Sequence, residues 1–277
     1  MAQPLTAIRP APVPARQPRT CAIPEQVAEL AGTAPVLPVW ENELGGLTFA
    51  VGQGVGRYFV KWAPVTSGID LDAEAARMRW ARRFTPVPGV LGQGADDAGS
   101  WMATSPIVGE CAVAERWKRD PATAVQAIGT GLRALHDALP VDACPFSWSI
   151  ADRVAGARAA ATAGLVDPAR WHQADRSMSV QEALGALVDA PSIDKAVVCH
   201  GDACAPNTIL RDDGHCSGHV DLGALGVADR WADLAVCTWS TQWNYGPGWE
   251  PVLLSSYGIE SDPVRTRYYR LLWALGP

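Results

Sequence analysis

The sequence predicts an α+β protein with two lobes, a five-stranded antiparallel sheet carrying one helix and then a mainly helical lobe. Strand-like runs separated by glycine-rich turns occupy residues 35–105. Helical patterns dominate the chain beyond residue 109. A length of 277 residues, 48% of them apolar, is enough for two modest cores.

The composition excludes several other classes of protein. A net charge of −6, with 19% charged residues, is not that of a disordered chain or of a typical nucleic-acid binder. The sequence contains neither a signal peptide nor an apolar run of about 18–20 residues, so we expect no membrane partner. The seven cysteines form no Cys-x-x-Cys pair, which predicts free thiols in a reducing, cytoplasmic setting.

The first half of the chain begins with an arm and continues into a meander. Residues 1–20 hold five prolines and predict a flexible arm. A short helical pattern follows over Ile23–Leu30. Alternating apolar residues then predict three strands, over Val36–Glu41, Leu47–Val51 and Arg57–Trp62.

One helix interrupts the sheet after its third strand. Asp70 is a suitable cap for a helix that runs to about Arg83, where Pro86 and Pro88 end it. Two further strands, Val87–Leu91 and Ser100–Ser105, complete the five.

The second half is predicted to be mainly α-helical. Two short strands interrupt it, at Val197–Cys199 and Ser217–Asp221, and two or three helices are expected within residues 150–190. The remaining predicted helices are Thr123–Leu139, Trp231–Trp239 and Val264–Leu275.

Two oxygen-rich loops in this half carry the candidate chemistry. Asp202 and Asn207 lie five residues apart, and Asp221-Leu222-Gly223 follows shortly after. Carboxylate and amide oxygens suit Mg²⁺ and phosphate chemistry. Asp-x4-Asn followed by Asp-x-Gly is also the spacing of the catalytic loop and metal-binding loop in the kinase fold.

A lysine in the third strand fits the same chemistry. Lysine occurs only three times, and Lys61 is in an otherwise apolar strand, where an unpaired ammonium is costly. Glu74, on the next helix, can pair with it and hold it towards the phosphates of a nucleotide. The alternative is an edge-strand lysine whose ammonium remains in water.

The chain resembles the aminoglycoside phosphotransferases of the 3′ and 3″ type, which have a protein-kinase-like fold. The resemblance covers roughly residues 35–277. The residues that carry it are Cys144–Phe146, Cys199–Asn207, Ser217–Ala235 and Tyr268–Leu272.

The resemblance implies a role for each candidate residue. Asp202 would be the catalytic aspartate, and Asn207 and Asp221 would hold Mg²⁺. Lys61, positioned by Glu74, would contact the phosphates of ATP or GTP. Residues 21–105 would form the nucleotide-binding lobe and residues 106–277 the catalytic and substrate-binding lobe.

The resemblance extends to the surroundings of the nucleotide. The backbone at Ser105 and Ile107 would bind the adenine edge, and the loop Glu43–Leu47 would cover the phosphates. Four residues would brace the catalytic loop and the helix behind it: His200, Asp229, Arg230 and Asp233.

The substrate pocket differs from the acidic pocket of the family. Residues 240–250 contain one acid and three large aromatic residues. Trp243, Tyr245 and Trp249 could stack on a sugar or a guanidinium group, or could simply pack the lobe. The candidate substrate-binding residues are Asp167, Asp175, Trp243 and Glu250.

These observations predict a monomeric, Mg²⁺-dependent kinase that phosphorylates a hydroxyl of an aminoglycoside antibiotic and confers resistance. Its partners would be a nucleotide and the antibiotic, with no nucleic acid. A kinase of another small alcohol or another antibiotic is the main alternative. A hydrolase with a metal held by His200, Asp202, His219 and Asp221 is a second. A non-catalytic binding protein on the same scaffold is a third.

Overall fold

The computed structural model describes residues 21–42 and 44–276. The predicted arm 1–20 and Glu43, in the predicted phosphate-covering loop, lie outside the described residues. Within them, no helix is both long enough and apolar enough to cross a bilayer.

The first lobe is an antiparallel sheet in the order β1-β2-β3-β5-β4. The strands are β1 Val36–Glu41, β2 Leu47–Val51, β3 Tyr58–Pro64, β4 Val90–Ala95 and β5 Gly99–Thr104. Two helices accompany the sheet, α1 Glu25–Ala31 and α2 Leu71–Ala81. This arrangement confirms the predicted five-stranded sheet with one helix after its third strand.

The sheet buries both of its faces. Side chains alternate along each strand, so Val60 and Phe49 point to the outer face, where they pack with Val27 of α1. Met102, opposite Lys61 in the β3–β5 register, packs on the other face into the large core that continues into the second half of the chain. Lys61 therefore lies on the face directed towards the second lobe.

The second lobe is mainly helical. Its helices are α3 Glu115–Lys118, α4 Pro121–Ala138, α5 Ile150–Thr162, α6 Val180–Ala186, α7 Trp231–Tyr245, α8 Glu250–Tyr257 and α9 Pro263–Leu275. Its strands are β6 Glu110–Cys111, β7 Ala196–Cys199, β8 Thr208–Leu210, β9 Cys216–His219 and β10 Gly226–Asp229. β6-β8-β9 form one small sheet and β10-β7 another.

Several elements differ from the sequence prediction. α8 was not predicted, because Gly246, Gly248 and Pro251 suggest a loop; Pro251 instead occupies the first turn of the helix, where its missing N–H costs nothing. β4 starts three residues later than predicted. α7 continues six residues past its predicted end and stops at Gly246, where φ is 90°.

Candidate active site

The catalytic loop begins with a sharp turn directly after β7. Gly201 has a φ of 87°, in the left-handed region that glycine adopts readily. A Cβ atom at this position would lie 2.3 Å from the backbone oxygen of Ala224. The close approach brings the loop carrying Asp202 against the segment that follows Asp221.

A buried carboxylate on α7 supports this turn from behind. Asp233 accepts hydrogen bonds from the backbone N–H groups of His200 at 2.6 Å and Gly201 at 2.9 Å. Its Oδ2 also lies 2.9 Å from Nε2 of His136, whose Nδ1 is 2.8 Å from the Tyr257 hydroxyl. Asp233 is completely buried. This geometry is what a bracing role requires.

His200 joins the two oxygen-rich loops. Its Nε2 donates to the backbone oxygen of Val220 at 3.0 Å, and its Nδ1 accepts from the N–H of Asp202 at 3.3 Å. Both ring nitrogens are therefore used in positioning backbone. The ring is fully buried.

Asp202 and Asn207 face each other across the loop. The Asn207 amide nitrogen donates to the backbone oxygen of Asp202 at 2.9 Å and to its carboxylate Oδ2 at 3.1 Å. Because the amide nitrogen makes both of these bonds, the Asn207 side-chain oxygen takes no part in them. The other carboxylate oxygen of Asp202, Oδ1, is buried and has no hydrogen-bond partner.

Lys61 connects the first lobe to the second. Its ammonium lies 2.6 Å from Glu74 Oε1 and 2.7 Å from Asp221 Oδ1. The Lys61 side chain is 20% exposed and that of Glu74 is 4% exposed, so this lysine is not an edge residue with its ammonium in water. Among the described residues, Asp221 is the only non-glycine with a positive φ, 66°, and such backbone strain is common at functional sites.

Burial and neighbouring charges shift the pKa values of the three carboxyl groups in different directions. Burial raises the pKa of Asp202, and the negative charge of Asp221 raises it further. Burial also raises the pKa of Glu74, against the opposing effect of Lys61. For Asp221, burial acts in the same upward direction, but the Lys61 ammonium outweighs it and the pKa lies below its usual value. Asp221 is therefore the more firmly ionised of the two loop aspartates.

The donor set around these loops fits a divalent cation. It offers the Asn207 side-chain oxygen and the half-buried Asp221 carboxylate. Oxygen donors of this kind are the ligands that Mg²⁺ takes in proteins.

The predicted adenine-binding segment follows β5. The Ser105 N–H donates to the Gly89 oxygen at 2.8 Å, and its hydroxyl accepts from the Gly89 N–H at 2.8 Å. Because its N–H is already used, the Ser105 backbone could contact an adenine only through its carbonyl. Ile107 packs near Gly218, where an added Cβ would lie 3.0 Å from Ile107 Cδ1.

Of the four predicted substrate residues, Asp175 and Glu250 both act electrostatically on His172, which places these two acids in one region of the second lobe. Asp167 is exposed and caps a short 3-10 turn. Asp175 is buried and lies 3.2 Å from Arg267, whereas Glu250 lies 2.9 Å from Arg270. Trp243 is half-buried and contacts two other tryptophans, Trp239 and Trp273. Tyr245 packs into the lobe and donates to the Ala112 oxygen.

Two polar residues near the site were missed by the sequence analysis. The Ser240 hydroxyl accepts from the Ala205 N–H of the catalytic loop at 2.9 Å. The Cys204 thiol lies against both Ser240 and Asp202. Ser240 follows Asp233 by two helical turns on α7, and that spacing alone could have placed both on the face towards the loop.

The two lobes and the joined loops define a bilobal phosphotransferase of the protein-kinase-like class. A family model described as the phosphotransferase enzyme family matches residues 41–269. The chain belongs to this family, which confirms the resemblance seen in the sequence.

Two named relatives of the chain are antibiotic kinases. An aminoglycoside 3′-phosphotransferase of Streptomyces fradiae is 39% identical over 221 residues, which cover 76% of this chain and 81% of the relative. A streptomycin 3″-kinase of Streptomyces griseus is 34% identical, covering 84% of this chain and 89% of the relative.

Solved structures show the same architecture. The aminoglycoside phosphotransferase APH(3″)-Id of Streptomyces rimosus superposes with a TM-score of 0.75 at 30% identity, covering 90% of this chain and 95% of that one. The same enzyme in complex with ADP and streptomycin superposes with a TM-score of 0.73 at 29% identity, again covering 90% and 95%.

Proposed function

We propose that the chain transfers the γ-phosphoryl group of ATP or GTP to a hydroxyl of an aminoglycoside antibiotic, with Mg²⁺, and so confers resistance. One observation carries the proposal: Lys61 of the first lobe is ion-paired with Asp221 of the second, beside Asp202 and Asn207. The 3′ and 3″ antibiotic kinases among the relatives support the choice of substrate.

The first requirement of this reaction is to hold the triphosphate in place. Phosphoryl transfer depends on alignment and on neutralising charge at the phosphates. Lys61, ion-paired with Glu74, supplies the positive charge from the sheet. Asn207 and Asp221 would hold Mg²⁺, which neutralises phosphate charge when it is bound.

The second requirement is an oriented acceptor hydroxyl. Asp202 Oδ1 is free of partners, whereas Oδ2 is fixed by Asn207. The free oxygen is suited to accept a hydrogen bond from the hydroxyl and to take its proton. Asp202 need not be a strong base, because the transition state is loose.

The alternative of a metal-dependent hydrolase has little support in the geometry. Both ring nitrogens of His200 hold backbone groups. His219 is buried, with 4% of its surface exposed. Its nitrogens face Thr208 and Cys216 rather than Asp202 or Asp221.

An acceptor panel tests the proposal directly. Purified protein is incubated with ATP or GTP, Mg²⁺ and kanamycin-, neomycin- or streptomycin-type antibiotics, together with non-aminoglycoside antibiotics and small alcohols. We expect nucleotide consumption that depends on an aminoglycoside and a product heavier by one phosphate. Transfer only to a non-aminoglycoside compound would favour the alternative of another small-molecule kinase. Nucleotide-independent chemistry would favour the hydrolase.

A further inference from the structure

Helix α7 supports the catalytic loop through a pair of polar side chains as well as through its buried carboxylate. The hydroxyl of Ser240, a completely buried residue, accepts from the Ala205 N–H at 2.9 Å. About one helical turn further on, the Asn244 amide nitrogen donates to the backbone oxygen of Ser240 at 2.8 Å and to its hydroxyl at 3.2 Å. Ala205 follows Asp202 in the same loop. The Ser240 hydroxyl therefore fixes the backbone directly beyond the catalytic aspartate.

These two contacts decide how Ser240 can donate. A serine hydroxyl has two acceptor lone pairs and one donor hydrogen. The Ala205 N–H and the Asn244 amide both donate to the Ser240 oxygen, so its own hydrogen is left for another acceptor. The Cys204 thiol lies against Ser240 and can accept that hydrogen.

The thiol of Cys204 extends the contacts to Asp202. It lies against the Asp202 carboxylate as well as against Ser240. A thiol is mostly protonated at neutral pH, and its S–H is a weak donor, so it can donate to the carboxylate. The contacts therefore form one directed chain that runs from Asn244 to Asp202. We call Asn244, Ser240 and Cys204 the supporting triad.

The orientation of the Asp202 carboxylate matters for the reaction. Its Oδ2 accepts from the Asn207 amide at 3.1 Å, and its Oδ1 has no hydrogen-bond partner among the described residues. A single hydrogen bond leaves a carboxylate able to turn, whereas a second contact from the Cys204 thiol limits that rotation. A misplacement of about 1 Å can lower the rate of an enzyme about a hundredfold.

We propose that the supporting triad orients the Asp202 carboxylate towards the acceptor hydroxyl, so that Asn244, Ser240 and Cys204 are positioning residues for phosphoryl transfer. The inference rests on the proposed function, because it concerns the residue that takes the proton of that hydroxyl. It predicts that the triad acts on kcat and leaves the binding of nucleotide nearly unchanged.

Two variants of Cys204 test the last contact of the chain, in assays with ATP, Mg²⁺ and an aminoglycoside that the wild type phosphorylates. Cys204→Ala removes the donor, and we expect kcat to fall about tenfold while the KM of ATP stays within about twofold of the wild type. Cys204→Ser keeps a group that can both accept and donate, so its kcat should stay within about threefold of the wild type. The matched control is Cys144→Ala, which should leave kcat unchanged. The Cys144 thiol is half-buried like that of Cys204, but it donates to the Phe146 oxygen at 3.5 Å.

A double-mutant cycle tests whether the supporting triad acts as one unit. Asn244→Leu removes the amide donor with little change in size and should lower kcat about threefold. When Asn244→Leu is combined with Cys204→Ala, we expect no loss beyond that of Cys204→Ala, because residues that act in one chain are not additive. Urea unfolding of each variant separates positioning from stability, since a structural role alone would lower the unfolding free energy without this pattern in kcat.

The inference is overturned, with antibiotic phosphorylation intact, by a wild-type kcat in Cys204→Ala or by a kcat in Cys204→Ser as low as that in Cys204→Ala. Additive losses in the double variant would overturn it as well. If the wild type phosphorylated no acceptor at all, the proposed function itself would be rejected.

Discussion

Lys61 shows how a single residue can indicate a site from sequence. An ammonium in an apolar strand requires carboxylate partners, and Glu74 and Asp221 lie 2.6 and 2.7 Å from it. The two carboxylates outweigh desolvation and raise the pKa of Lys61 above its ordinary value. The charge is therefore permanent under physiological conditions.

Replacing this lysine should impair nucleotide use selectively. Lys61→Ala is expected to lower kcat/KM for the nucleotide about a hundredfold, because the sheet loses its charge towards the phosphates. Steady-state kinetics at saturating acceptor measure the effect. Lys118→Ala is the matched control, since Lys118 is exposed and lies 3.4 Å from Glu115. Equal kinetics in the two variants would contradict the assignment of Lys61.

The buried ring of His219 should make the free energy of unfolding fall as the solution becomes acidic. Its pKa is about 3 in the folded chain, against 6.5 as the ordinary value, because desolvation, and then His200, oppose its protonation. Between these values the unfolded chain binds the extra proton, so stability is complete above about pH 6.5 and declines as the pH falls towards 3.

The variant His219→Gln tests this loss of stability at acid pH. Urea unfolding at a series of pH values should give a shallower loss of stability than in the wild type, because glutamine binds no proton. A slope equal to that of the wild type would show that other groups govern the loss of stability at acid pH.

At the scale of elements, the sequence predicts those features that depend on neighbouring residues, such as strand bounds and helix caps. The bounds of β1 and β2 match the prediction because alternation and turn glycines define them, and Asp70 caps α2 as expected by accepting from the Ala73 N–H. The short strands β6 and β10 were not predicted, because each pairs with a strand distant in the chain. The prediction also omitted β8, although its partner β9 is the next strand along the chain.

The same division applies to the site. Motif spacing predicted that Asp202, Asn207 and Asp221 belong together, and the fold brings them together. The pairing of Glu250 with Arg270 was not predicted, because nothing in the spacing of α8 and α9 shows that the two side chains meet. The contact between Ser240 and the catalytic loop depends equally on how α7 packs.

The α7 carboxylate that braces the loop gives an element-scale prediction. Asp233→Asn replaces a fully buried acceptor of two backbone N–H groups, and we expect a loss of about 3 kcal/mol in unfolding free energy, with lower kcat. Chemical denaturation and kinetics measure the two effects.

Asp137→Asn is the matched control for that variant. Asp137 ends α4 on the surface, where it pairs with Arg133, and its replacement should change stability by less than about 0.5 kcal/mol. Equal unfolding free energies in the two variants would contradict the bracing role of Asp233.

At the scale of the whole molecule, polar contacts between the sheet lobe and the helical lobe are few among the residues that the structure describes. Besides Lys61 with Asp221, Arg77 Nε donates to the Leu225 oxygen at 3.0 Å and Trp80 Nε1 donates to the Ala143 oxygen at 3.2 Å. All three donors belong to β3 or α2. The predicted lobe boundary between residues 105 and 106 stays a prediction, as do the monomeric state and the cytoplasmic location.

The most direct test of the account separates nucleotide binding from phosphoryl transfer in Asp202→Asn. With ATP, Mg²⁺ and an aminoglycoside that the wild type phosphorylates, we predict nucleotide affinity within about threefold of the wild type and a kcat lower by about a thousandfold or more. The readouts are calorimetric titration with nucleotide and mass detection of the phosphorylated antibiotic. Turnover near the wild-type rate in this variant would contradict the central claim that Asp202 accepts a hydrogen bond from the acceptor hydroxyl and takes its proton.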